Sequence, residues 1–332
     1  MQVLIYERAY GRIRSALEQR VPGVEPLLMA DDGTLSLHGA PVIHENAAPV
    51  AAWANTDLYV SPTVRDFMVF CLKSKTLRFV QSSAAGFEHP VFSLLVDKGI
   101  VLSNSNASAI SIAEFVLARV LDELQPNAQR NALQASKRWE RTPFREIAGQ
   151  TWLVVGLGNI GGEIVKRAQA FGAHVIGARR SVRGDERCDR TVTLAALDEV
   201  LPSCNVVVLA APSNPESRHV INAARLERMK PGSILVNIAR GALVDEAALL
   251  ASLERGVPGC AILDVFETEP LPSESPLWSH PRVRVSAHNA ANSDGFVARN
   301  DELFLRNLVR FAAGQTPELV VDAATVKASQ AG

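Results

Sequence analysis

The chain has 332 residues, of which 47% are hydrophobic and 21% charged, and a formal net charge of −1. That length exceeds what one hydrophobic core usually serves, so two domains are expected. The near-zero net charge gives no sign of a surface for nucleic acid or membrane, and neither is expected as a partner. Cys71, Cys188, Cys204 and Cys260 form no CxxC pair, which argues against a metal site or disulfide framework and fits a reducing compartment. The first residues, Met1–Tyr6, read as a strand and lack the apolar core and cleavage site of a secretory signal. No apolar run approaches membrane-spanning length, so a cytoplasmic protein is expected.

In chain order, Val3–Tyr6, Leu77–Gln81 and Ile100–Leu102 read as strands. Arg8–Gln19, Val64–Lys73 and Val91–Lys98 read as helices, which together make a small α/β unit over residues 1–103. Ser111–Ser136 carries Leu and Val at helical spacing and is expected as one long helix, broken or kinked at Pro126. From Trp152 onward strands and helices alternate tightly. The strands are Trp152–Val155, His174–Gly177, Val206–Ala210, Ser233–Asn237, Cys260–Leu263 and Val283–Ser286. The helices are Ile160–Phe171, Leu194–Leu201, Ala223–Met229, Glu246–Arg255 and Asp294–Ala313, and Arg218 and His219 read as the start of another. Short apolar strands without polar alternation predict a parallel sheet covered on both faces. The polar tail from Lys327 to Gly332 is expected to fray.

Gly156-Leu157-Gly158-Asn159-Ile160-Gly161 stands between an apolar strand and a helical segment. The first glycine permits a tight turn, the second lets backbone approach a pyrophosphate, and the third lets the helix pack on its strand. The helix N-terminus then offers N–H groups and a positive dipole end to the phosphates. This predicts a bound dinucleotide. Sites for NAD place an acid about 20 residues past the glycines, against the ribose 2′-OH. Here that position is Arg179, followed by Arg180 and Ser181. Guanidiniums and a hydroxyl suit a 2′-phosphate instead, so NADP is the expected cofactor and NAD the alternative.

Three further residues stand at or just after strand ends: Arg240, Glu269 and His288. In an open parallel sheet the carboxyl ends of the strands face one crevice, where ligands bind. Reducing a 2-keto acid needs a hydride at the carbonyl carbon and a proton at its oxygen. Histidine is the natural proton donor near neutral pH. A carboxylate on its other nitrogen fixes the tautomer and favours the imidazolium. Arginine grips the substrate carboxylate and polarises the carbonyl. The remaining histidines, His38, His44, His89, His174, His219 and His280, read as structural.

With these residues on the page, the chain resembles the D-isomer-specific 2-hydroxyacid dehydrogenases, the family of glyoxylate/hydroxypyruvate reductases and phosphoglycerate dehydrogenases. The resemblance rests on Gly156–Gly161, Pro212 with Pro215-Glu216-Ser217-Arg218, Asn237–Asp245, Leu263–Pro272, Pro276-Leu277-Trp278 and His288. It implies Arg240 as the substrate-binding and polarising residue, Glu269 as partner of the histidine, and His288 as the acid/base. It also implies Asp264 near the nicotinamide carboxamide, Pro212 at the cofactor, and the Ile238 and Ala239 backbone along the ring. The loop Ser83-Ala84-Ala85-Gly86-Phe87-Glu88-His89 resembles the family loop that holds the substrate carboxylate, which puts Ala85 and Gly86 at the contact.

The fold implied is α/β. A Rossmann-type doubly wound parallel sheet binds the cofactor over residues 104–288. A smaller flavodoxin-like α/β substrate domain takes residues 1–103 with 289–332. The resemblance also implies a homodimer built through the Ser111–Ser136 region. Asn289 after the histidine, and Glu88 and Pro90 in the first-domain loop, depart from the family pattern and bear on which keto acid is used. A cofactor-sensing binding protein on the same fold, like the transcriptional corepressors that resemble this family, is the alternative from a different class.

Overall fold

The computed structural model describes residues 1–84, 86–87, 89–184 and 187–328. The chain divides into two compact units, residues 1–108 with 293–332 and residues 109–292.

The first unit holds β1 (Gln2–Tyr6), β2 (Glu25–Met29), β3 (Leu35–Leu37), β4 (Ala40–Val42), β5 (Ala51–Ala54), β6 (Phe79–Ser82) and β7 (Val101–Ser103). They form one sheet in the order β4-β3-β2-β1-β5-β6-β7. From β2 to β7 the neighbours are parallel, in the flavodoxin-like order. β3 and β4 add an antiparallel edge. One face is covered by the helix Glu7–Arg20, which buries Ala9, Ile13 and Leu17 at a spacing of one helical turn. On that face too lies the last long helix, Asp294–Ala312, whose Phe304, Leu305 and Leu308 join Val3, Ile5, Trp53 and Phe79 in one core cluster. Trp53 and Phe304 stack with ring centroids 4.3 Å apart. The other face is covered by Val64–Lys73 and Val91–Asp97 through Phe67, Cys71, Phe92 and Leu95.

The second unit holds β8 (Thr151–Val155), β9 (His174–Arg179), β10 (Arg190–Thr193), β11 (Val206–Leu209), β12 (Ile234–Asn237), β13 (Cys260–Leu263) and β14 (Val283–Val285). Their order is β10-β9-β8-β11-β12-β13-β14, and every pairing is parallel. This is the Rossmann order with one strand added at the far edge. Successive residues of β11 go to opposite faces, Val206 and Val208 into one core and Val207 and Leu209 into the other. Period-two geometry thus explains why these strands are apolar throughout.

The break expected at Pro126 is present: the stretch is two helices, Ser108–Leu124 and Asn127–Ala135, because Pro126 has no N–H to continue the first. Other expectations need correction. The segment around Arg218 is a turn rather than a helix start. His219 has φ +47°, which a right-handed helix excludes, and Ser217 Oγ donates to the Pro212 carbonyl at 2.8 Å. Leu194–Leu201 is a chain of short turns of 3₁₀ and α type rather than one helix.

The unit boundaries fall a few residues beyond those expected at 103/104 and 288/289. Asn104 N–H bonds Leu319 O and Ser105 bonds Asn300, which ties them to the first unit. The N–H groups of Asn289 and Ala290 bond Asp264, which keeps them in the second. Lys327 sits in the helix Ala323–Ala328 and pairs with Asp97 at 2.7 Å, while residues 329–332 lie outside the described residues.

Among the described residues no helix is long and apolar enough to cross a membrane, and no group of three or more His, Cys, Asp or Glu side chains could hold a metal ion. Burial pushes the thiols of Cys204 and Cys260 up to about 11 and about 12, so both are neutral near pH 7 and act as small apolar core residues.

Candidate active site

Gly156 ends β8 with φ +102°, and a Cβ there would lie 2.5 Å from Ala211 N. A Cβ on Gly161 would lie 1.9 Å from Gly156 O. Both glycines are therefore required by backbone-to-backbone contact. Gly158 differs, since nothing lies within 4 Å of its Cβ position. It occupies the N-cap of Asn159–Ala170 without a side-chain cap, so the first N–H groups of that helix are left for another acceptor. A cavity of about 510 Å³ opens here, lined by Leu157, Gly158, Asn159, Arg179, Arg183 and Arg187. Open backbone at a helix N-terminus beside guanidiniums fits the phosphates of a dinucleotide.

Arg179 lines this cavity. Arg180 does not; its Nε lies 3.0 Å from Glu216, with both side chains largely exposed. Ser181 is exposed and also outside the lining. Arg183 and Arg187 were not among the expected cofactor residues; the run of arginines that continues past the strand end is the signal for them. Ile160 turns toward the core, and Ile238 and Ala239 are buried after β12. Pro212 is exposed.

Three strand ends in the same sheet build the second part of the site. After β12, Asn237 folds the turn on itself, taking Ala239 N–H at Oδ1 and donating from Nδ2 to Arg240 O at 2.9 Å. Arg240 follows, its guanidinium donating to Ala239 O at 2.7 Å. Gly241 then touches the loop beyond β13 so closely that a Cβ would lie 1.9 Å from Phe266 C. In that loop Glu269 takes Phe266 N–H with Oε1 at 3.0 Å, and its Oε2 lies 2.8 Å from His288 Nδ1. The pair remains accessible, with His288 53% and Glu269 36% exposed.

His288 has φ +51°, a left-handed conformation that is strained for a residue with a Cβ. Asp264 holds it there. Asp264 O accepts His288 N–H at 2.8 Å. Its carboxylate, almost wholly buried, accepts from Ser286 Oγ, Asn289 N and Ala290 N at 2.6–2.9 Å. Asp264 thus organises the histidine loop, and Asn289 is part of that turn through its backbone.

Sequence reading missed two neighbours, Glu246 and the pair His219–Glu267, whose Nε2 and Oε1 are 2.8 Å apart. In the first unit Gly86 is half-buried; Ala85 and Glu88 lie outside the described residues.

A sheet in Rossmann order with this glycine turn defines a dinucleotide-binding protein. Residues 117–290 match the model of the D-isomer specific 2-hydroxyacid dehydrogenase, NAD binding domain, and the chain belongs to that family. It is 32% identical to a glyoxylate reductase of Pyrococcus furiosus, over 77% of this chain and 79% of that one. It is 30% identical to a D-3-phosphoglycerate dehydrogenase of Methanocaldococcus jannaschii over 78% of this chain, a match that spans 50% of that longer relative. Among solved structures it resembles an NADPH-dependent glyoxylate/hydroxypyruvate reductase from Sinorhizobium meliloti, solved in complex with NADP and sulfate. The TM-score is 0.73 at 26% identity, covering 98% of this chain and 99% of that one.

Proposed function

We propose that this protein is an NADPH-linked oxidoreductase that interconverts a small 2-keto acid and its D-2-hydroxy acid, with glyoxylate and hydroxypyruvate the leading substrates. The observation that carries this reading is the contact of His288 Nδ1 with Glu269 at 2.8 Å, which reserves Nε2 for proton exchange. A bound nicotinamide supplies or takes up the hydride at the keto carbon. As imidazolium, His288 gives its proton to the oxygen that gains charge during reduction; as neutral imidazole it takes the hydroxyl proton in oxidation. Glu269 orients the ring and stabilises its charge. Arg240 binds the substrate carboxylate and polarises the carbonyl. The test is the consumption of NADPH and NADH with glyoxylate, hydroxypyruvate, pyruvate and phenylpyruvate. Binding of NADPH without turnover of any keto acid would favour a cofactor-sensing protein instead.

Arg179, with Arg183 and Arg187 in the same cavity, supports NADP over NAD, as does the NADP complex of the S. meliloti neighbour. Each charge-assisted contact to the 2′-phosphate contributes on the order of 1.5–3 kcal/mol, about tenfold or more in affinity. Arg179→Asp is expected to lower kcat/KM with NADPH by about that factor and to leave NADH far less affected. Arg180→Asp, at an exposed pair with Glu216, is expected to do much less. Equal kinetics with the two cofactors in the parent protein would count against the preference.

A homodimer through the region 111–136 belongs to the same proposal. The helix Asn127–Ala135 buries no residue, and Trp139 just beyond it is 100% exposed, which leaves a helix and a large aromatic side chain for a second copy to cover. Light scattering at micromolar concentration is expected to give twice the chain mass; a stable monomer would refute it.

A further inference from the structure

The loop that carries Glu269 is held by a carboxylate that the proton transfer does not use. Glu246 begins the helix Glu246–Glu254, and its Oε1 accepts Glu267 N–H at 2.7 Å. The preceding N–H, of Phe266, is taken by Glu269 Oε1. Two consecutive donors of the loop are therefore held by two acids, one paired with His288 and one standing behind it. Glu267 in turn reaches His219. Because Gly241 packs directly on the Phe266–Glu267 peptide, Glu246 ties the loop to the element that follows Arg240.

Glu246 does this at a cost in stability. Burial, first, and then the charges of Glu267 and Glu269 raise its carboxyl above the ordinary value, against the lowering effect of the Glu267 N–H. With the folded value above the unfolded one, ionisation of Glu246 removes stability as pH rises from the ordinary carboxylate range through the raised value. Glutamine would accept the same N–H without that loss.

We propose that Glu246 is a positioning residue for the Glu269–His288 pair. Through the Glu267 N–H it anchors the loop that carries Glu269, and so holds that carboxylate against the imidazole. The inference rests on His288 as proton donor.

Glu246→Gln keeps an acceptor for the Glu267 N–H and Glu246→Ala removes it. In Glu246→Gln kcat is expected to stay close to the parent's. Its thermal midpoint is expected to match or exceed the parent's at neutral pH and to coincide with it at acid pH. Glu246→Ala also frees the Glu267 N–H and is expected to lower kcat by about tenfold further. A Glu246→Ala kcat equal to that of Glu246→Gln overturns the anchoring. The thermal comparison needs no turnover, and His288→Ala in the same series reports separately on the underlying reading.

Discussion

His288→Ala is expected to lose about 10²–10⁴ in turnover of the best keto acid, the range that general acid–base catalysis contributes. Affinity for NADPH should be nearly unchanged, because the glycine turn that would hold the phosphates belongs to β8 and its helix rather than to the histidine loop. Glu269→Gln should lose less. It keeps an oxygen for Phe266 N–H and a polar group for His288 Nδ1 but removes the charge that favours imidazolium. Steady-state kinetics would check both variants. Near-normal turnover by His288→Ala would mean that another group donates the proton.

Asp264→Ala is expected to damage stability and activity together. The carboxylate is 1% exposed and receives two backbone N–H groups and one hydroxyl. An unsatisfied buried donor costs about 1–3 kcal/mol, and of the three bonds only that of Ala290 N–H is fully buried, so the loss should be on the order of 1–3 kcal/mol. Without those bonds only the backbone bond from His288 N–H to Asp264 O still holds the left-handed turn, and the imidazole should leave Glu269. Asp264→Asn retains one oxygen acceptor but turns an amide toward donors already in place, and should fall between parent and Ala variant. Denaturant unfolding and turnover, measured on the same preparations, would show both effects. A fully active Asp264→Ala protein of parental stability would remove Asp264 from the support of the histidine.

What could be read from the chain differs between the two sheets for a physical reason. Val206–Leu209 and Cys260–Leu263 are apolar on both faces because helices cover both, and such runs stand out. Ala51–Ala54 is just as buried but reads Ala-Ala-Trp-Ala, with little strand propensity of its own. Its state is set by pairing with β1 and β6. β3 and β4, three residues each, are too short to show any period. β10 is an edge strand with mostly partly or fully exposed residues, so its pattern resembles a loop. In the site, the glycine turn was legible because local geometry demands glycine. The meeting of Glu269 and His288, 19 positions apart, followed from residue types only through resemblance to a family. The work of Glu246 was not legible, because it acts by accepting a backbone N–H of another segment, and no residue type in that segment records it.

The interrupted first unit has a consequence for how the molecule comes into being. One face of its sheet, with Val3, Ile5, Trp53 and Phe79, is covered in part by Phe304, Leu305 and Leu308 from near the other end of the chain. During synthesis the strands β1–β7 must therefore wait, partly uncovered, while residues 109–292 are made. That segment is continuous and can close its own core in the meantime. The first unit is thus completed after the second, and until its helix Asp294–Ala312 arrives the nascent protein exposes an apolar sheet face of the kind chaperones bind.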